Sequence, residues 1–171
     1  VGLTELLLSE PLLSQIPAAY KERLRALPSL KKFLGGVSYY RPIDLTERSP
    51  VRLPQSLTPA QTPGVQGETL FSALYNMRTN EPGLYERLAA IIAQAFPGFK
   101  QLEFPVVGAG LVNMAWHDNC CRQPFYPNQL SEGTLRFLWL MTLIMTSPSA
   151  SVLIIDEPET SLHPELVRLV T

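Results

Sequence analysis

A chain of 171 residues and 19.1 kDa has room for one domain or a large piece of one. With 46% apolar and 17% charged residues it can bury a core, which excludes a disordered chain. A net charge of -1 excludes a basic nucleic-acid coat, and two adjacent cysteines cannot staple a secreted scaffold, so a reduced, cytoplasmic setting fits.

Val at residue 1 reads as a processed or cut chain. The opening Val1-Gly2-Leu3-Thr4-Glu5 has neither the basic start nor the long apolar run of a signal peptide. Leu135 to Met145 is the longest apolar run, far below the roughly 20 residues that span a bilayer, so no membrane partner is expected. Residues 3–34 read as helices broken by Pro11, Pro17 and Pro28, with Leu24, Leu27, Leu30 and Leu34 at helical spacing. Lys21, Arg23, Arg25, Lys31 and Lys32 give this stretch a basic character. A solvated face explains them, and a contact to a phosphate backbone is the sharper alternative.

Val37-Ser38-Tyr39-Tyr40 predicts a short strand. The prolines at 42, 50, 54, 59 and 63 then forbid a long helix or a central strand, so residues 41–67 read as an extended surface loop. Helices are predicted over Glu68–Met77 and Leu84–Phe96, the second ended by Pro97-Gly98. Strands over Leu102–Val107 and Leu111–His117 flank Gly108-Ala109-Gly110, a hairpin signal. His117, Cys120 and Cys121 are too crowded and too few for a tetrahedral zinc site, and a polar turn after a strand explains them.

The last quarter carries the chemistry. Val152 to Ile155 is a short continuous apolar run, rich in β-branched residues, of the kind that forms a buried parallel strand, and Asp156-Glu157 follows at once. Open α/β sheets place ligands at the carboxyl ends of such strands. This is the form of a Walker B motif: Asp156 would organise Mg²⁺, and Glu157 would orient or deprotonate an attacking water. The plain alternative is an exposed acidic turn. Upstream, Ser131 and Thr134 are candidate helix N-caps around Gly133, before a helix over Leu135–Thr146 that is apolar on nearly every side and must be buried. Its N-terminus offers free N–H groups to a phosphate, and Gly133 permits close backbone approach; an ordinary capped core helix is the alternative.

Taken in series, Leu130-Ser131-Glu132-Gly133-Thr134 resembles the ABC-type signature in its Ser-x-Gly-Thr form. Leu153-Ile154-Ile155-Asp156-Glu157-Pro158-Glu159 resembles the matching Walker B with its catalytic Glu. Ser161-Leu162-His163-Pro164 resembles the D-loop region, with His163 where transporter ATPases usually carry Asp. The combination is similar to the RecF/SMC/OLD-like ATPases of bacteria, often described as AAA-type, and upstream likeness extends to Tyr40-Arg41-Pro42, Gly67-Glu68-Thr69-Leu70, Phe96-Pro97-Gly98-Phe99 and Trp116.

The resemblance implies an α/β fold, a partial ABC-type P-loop NTPase domain. A helical and β-hairpin lobe would occupy residues 1–129, and the signature helix and Walker B strand residues 130–171. It implies MgATP held between two copies of the protein placed head to tail. Asp156 would then sit in the Mg²⁺ shell and Glu157 would orient water. Ser131, Glu132, Gly133 and Thr134 would meet the nucleotide of the partner, with His163 near the seam. No G-x-x-x-x-G-K-[ST] occurs in the sequence, so the expectation is an internal fragment. These residues alone should not hydrolyse ATP efficiently, whereas the full-length protein should. A non-catalytic, nucleotide-responsive regulatory module is the competing reading, and a DNA-linked machine is a third.

Overall fold

The computed structural model describes residues 36–147 and 152–170. The helices expected over 3–34 and the basic stretch Lys21–Lys32 lie outside the described residues. The chain forms two compact units, one of residues 1–39 with 149–154, the other of residues 40–148 with 155–171.

The strands β1 (Val37–Tyr40) and β7 (Val152–Ile155) pair with each other, all but their last residues falling in the first unit. The N–H of Val152 donates to the carbonyl of Gly36 at 3.3 Å, and that of Asp156 to the carbonyl of Tyr40 at 2.9 Å. Four residues along one strand match four along the other in the same sense, so the pair is parallel. Both strands have the bounds predicted from their β-branched and aromatic runs. Their burial departs from the expectation, because Val152 is 37% and Ile154 45% exposed. Among the described residues no layer covers that face of β7, so the strand is not the fully buried one expected.

The second unit is built on three helices that pack on one another: α1 (Leu70–Asn80), α2 (Pro82–Ala95) and α3 (Glu132–Thr146). α1 faces the core with Leu70, Phe71, Leu74 and Met77, and α2 with Leu88 and Ile92. α2 starts earlier than its apolar pattern because Pro82 occupies the first helical turn, where its missing N–H costs nothing. In α3 every residue from Leu135 to Leu143 is buried, as its all-round apolar pattern requires. An aromatic cluster ties the layers together: Phe96 meets Trp116 at 5.4 Å and Phe137 at 5.6 Å, and Phe99 meets Trp116 at 4.6 Å, all edge to face.

The predicted hairpin is present, but each arm is divided in two. β3 (Phe99–Glu103) pairs with β6 (Ala115–Asp118), and β4 (Val106–Gly108) with β5 (Leu111–Val112), both antiparallel. Pro105 breaks the first arm because it has no N–H for the ladder, although its carbonyl still accepts from the N–H of Asn113 at 3.0 Å. The turn runs through positive φ at Gly108, Ala109 and Gly110, which the flanking glycines adopt without strain.

The Pro-rich stretch is fastened to the core rather than lying over it. It holds a 3₁₀ turn, Pro50–Arg52, and a strand β2 (Gln55–Ser56) paired with β5, and it buries Ile43, Leu45 and Val51. Gln55 is buried: its Nε2 donates to Pro50 O at 3.1 Å and Gly67 O at 2.6 Å, and its Oε1 accepts from Phe71 N at 3.1 Å. The indole Nε1 of Trp139, on α3, donates to Gly64 O at 2.9 Å. Prolines exclude regular ladders here, but side-chain bonds satisfy the loop carbonyls instead. A short helix α4 (Pro164–Val170) follows β7 and packs against α2. Among the described residues no helix is long and apolar enough to cross a membrane.

Candidate functional site

α3 begins at a capped turn. Ser131 has extended backbone angles (φ -64°, ψ 155°), and its Oγ accepts from Thr134 N at 3.1 Å. Ser131 Oγ and Thr134 Oγ1 lie 2.8 Å apart and share a hydrogen bond. Thr134 is therefore not a second cap; it is the third helical residue that the Ser131 cap serves. Glu132 in the first turn suits the positive end of the helix dipole. Replacing Ser131 by Ala removes the cap and is expected to lower stability by about 1 kcal/mol, read as a shift of the urea midpoint.

Gly133 sits against its own chain. A Cβ built there would lie 2.7 Å from the backbone carbonyl oxygen of Ser161, so the glycine lets the first turn of α3 touch the segment after β7. Gly133→Ala must push one backbone off the other and is expected to cost about 1–3 kcal/mol; an unchanged thermal midpoint would refute this packing.

The acidic end of β7 is held open. Asp156 and Glu157 are both exposed. Glu157 has φ +45° and Ser161 φ +64°, the left-handed region that non-glycine residues adopt only where the surroundings enforce it. Local bonds do so here: Thr160 N donates to Glu157 O at 3.1 Å, Thr160 Oγ1 to Glu157 Oε2 at 3.3 Å, and Leu162 N to Glu159 O at 2.9 Å. His163 then opens α4, its Nδ1 accepting from Glu165 N at 3.4 Å. It lines a cavity of about 260 Å³ with Gln94, Phe96 and Leu166.

Arg136, on α3, was not singled out in the sequence, although a lone cation inside an otherwise apolar helix is a usable signal. Its side chain is buried and its Nε has no hydrogen-bond partner. Burial lowers the pKa of the guanidinium from its ordinary value, and the negative charges of Glu132 and Glu157 oppose that shift.

A larger cavity of about 800 Å³ opens beside Ser131, lined also by Thr46, Glu47, Arg52, Asn128 and Glu132. Asp156 and Glu157 offer hard oxygen donors at a strand end, which suits Mg²⁺. That ion keeps much of its water and takes one or two carboxylates plus phosphate oxygens. Among the described residues no three His, Cys, Asp or Glu side chains gather into a ready-made metal cage. The thiols of Cys120 and Cys121 are free and exposed, and His117 Nε2 lies 3.0 Å from Glu103 Oε2.

The sequence model of a family described as "AAA domain, putative AbiEii toxin, Type IV TA system" matches residues 14–171. No curated protein and no solved structure matches the chain.

Proposed function

Since the chain belongs to this AAA-domain family of P-loop ATPases, we propose that it supplies the signature and Walker B parts of an ABC-type, RecF/SMC/OLD-like ATPase working as a head-to-tail pair. The observation that carries the reading is the close approach of the signature-like turn to the segment that follows the strand-end acids. The turn at Gly133 rests on Ser161, and the buried Arg136 lies in the electrostatic field of Glu132 and Glu157. The phosphate grip is assigned to a P-loop outside these 171 residues, which contain no G-x-x-x-x-G-K-[ST].

In this reading Asp156 and the nucleotide's phosphates would hold Mg²⁺, which when bound supplies positive charge against the triphosphate. Glu157, exposed and held in a left-handed backbone conformation, orients the attacking water and takes its proton. Ser131 and the free N–H groups of the first turn of α3 face the nucleotide held by the partner copy. His163 sits at the seam between the copies.

The full-length polypeptide is expected to hydrolyse ATP only with Mg²⁺, and Asp156→Asn to lower that rate by about 100-fold or more. Turnover equal with and without Mg²⁺, or unchanged by Asp156→Asn, would sink the reading and favour a non-catalytic regulatory module.

A further inference from the structure

We propose that Arg52 is a positioning residue for Ser131, acting through the backbone that leads into it; this rests on the reading of Ser131 as the residue that meets the partner's nucleotide. Arg52 closes the turn Pro50–Arg52, far from α3 in sequence. Its half-buried guanidinium bonds three backbone carbonyls. Nε donates to Leu45 O at 2.9 Å, and Nη1 donates to Pro127 O at 2.8 Å and to Leu130 O at 3.0 Å. The last bond matters most. The carbonyl of Leu130 and the N–H of Ser131 belong to one planar peptide, so fixing the oxygen fixes the direction of that N–H and the entry of Ser131 into its cap.

The arrangement also has an electrostatic consequence. The cavity beside Ser131 is lined by Arg52 and Leu130, and by the carboxylates of Glu47 and Glu132. A carbonyl aimed into that space would repel a phosphate. Arg52 engages the Leu130 and Pro127 oxygens and adds a cation to a lining that also holds the two acids. Those two carbonyl dipoles are then engaged rather than open to an anion. Arg suits the task because a planar fork can hold several acceptors in fixed directions, which a lysine cannot.

A residue that only stapled the fold would damage any site its copy touches. A residue that serves the signature would damage only the site shared with the partner's P-loop and Glu157. Mixed pairs of two differently tagged full-length copies separate these cases. With Arg52→Ala and Glu157→Gln in opposite copies, one composite site stays intact, and turnover should be about half that of wild type. With both changes in the same copy neither site is intact, and turnover should be at least tenfold lower again. Equal turnover from the two arrangements overturns the proposal.

If Arg52→Ala does not fold, Arg52→Lys in the same two arrangements should still differ at least threefold, and equality there also overturns it. Ser131→Ala in the place of Arg52→Ala separates the two levels of the argument. An arrangement effect with Ser131 but not with Arg52 overturns the role of Arg52 alone. No effect with either overturns the shared-site reading together with the role of Arg52.

Discussion

Glu157→Gln in the full-length polypeptide is expected to lower MgATP turnover by about 100- to 10,000-fold, the range by which a positioned general base accelerates proton transfer. Nucleotide affinity should stay within about threefold, because Gln keeps the shape of Glu and removes only the charge and the basic oxygen. The backbone should tolerate the change. The left-handed conformation at Glu157 is no harder for Gln, and an amide oxygen can still accept from Thr160 Oγ1. The separation of kcat from Kd is the informative readout. Loss of both would point to a collapsed strand end, and loss of neither would remove Glu157 from the chemistry.

Trp139→Ala is the second large effect, and it falls on stability. The side chain is 2% exposed, meets Tyr40 edge to face at 5.9 Å, and holds Gly64 O through its indole N–H. Truncation should cost about 3–5 kcal/mol from the lost packing and its cavity. A further share comes from the unpaired Gly64 carbonyl, about 1–3 kcal/mol. This is a large part of the roughly 5–15 kcal/mol that stabilises a folded domain. Trp139→Phe keeps most of the ring and loses the bond, so its urea midpoint should fall between those of Trp139→Ala and wild type. Equal midpoints for Trp139→Phe and wild type would mean the bond to Gly64 contributes nothing.

Local patterns carried far in this chain, and long-range bonds did not. Val37–Tyr40 and Val152–Ile155 could be bounded because a few β-branched or aromatic residues end at clear breakers. Burial of the helix after Gly133 followed from its unbroken apolar pattern. The N-cap role of Ser131 was legible from residue type and place, and the structure confirms it.

The division of the hairpin at Pro105 could have been read from that proline, whose missing N–H interrupts a ladder. The start of α1 at Leu70 could not. Glu68 turns back to accept from Gln66 N at 2.8 Å, a loop bond that competes with the helix. The Pro-rich stretch was the hardest to place. Its hold on the core comes from Gln55, and from Trp139 75 positions away from its partner, and such bonds leave no periodicity to find. Exposure of Val152 and Ile154 was equally illegible, since it depends on what covers a strand rather than on its residues.

Membership in the AAA-domain family fixes the broad class, and the head-to-tail site is the claim to test. The most direct measurement is MgATP turnover of full-length Ser131→Ala and Asp156→Asn proteins, each alone and then mixed in equal amounts. If one copy's signature completes the other copy's Asp156 site, each variant alone is nearly inactive. The mixture then regains a substantial fraction of wild-type turnover, because pairs that combine the two variants hold one intact site. A mixture no more active than its components would contradict the account.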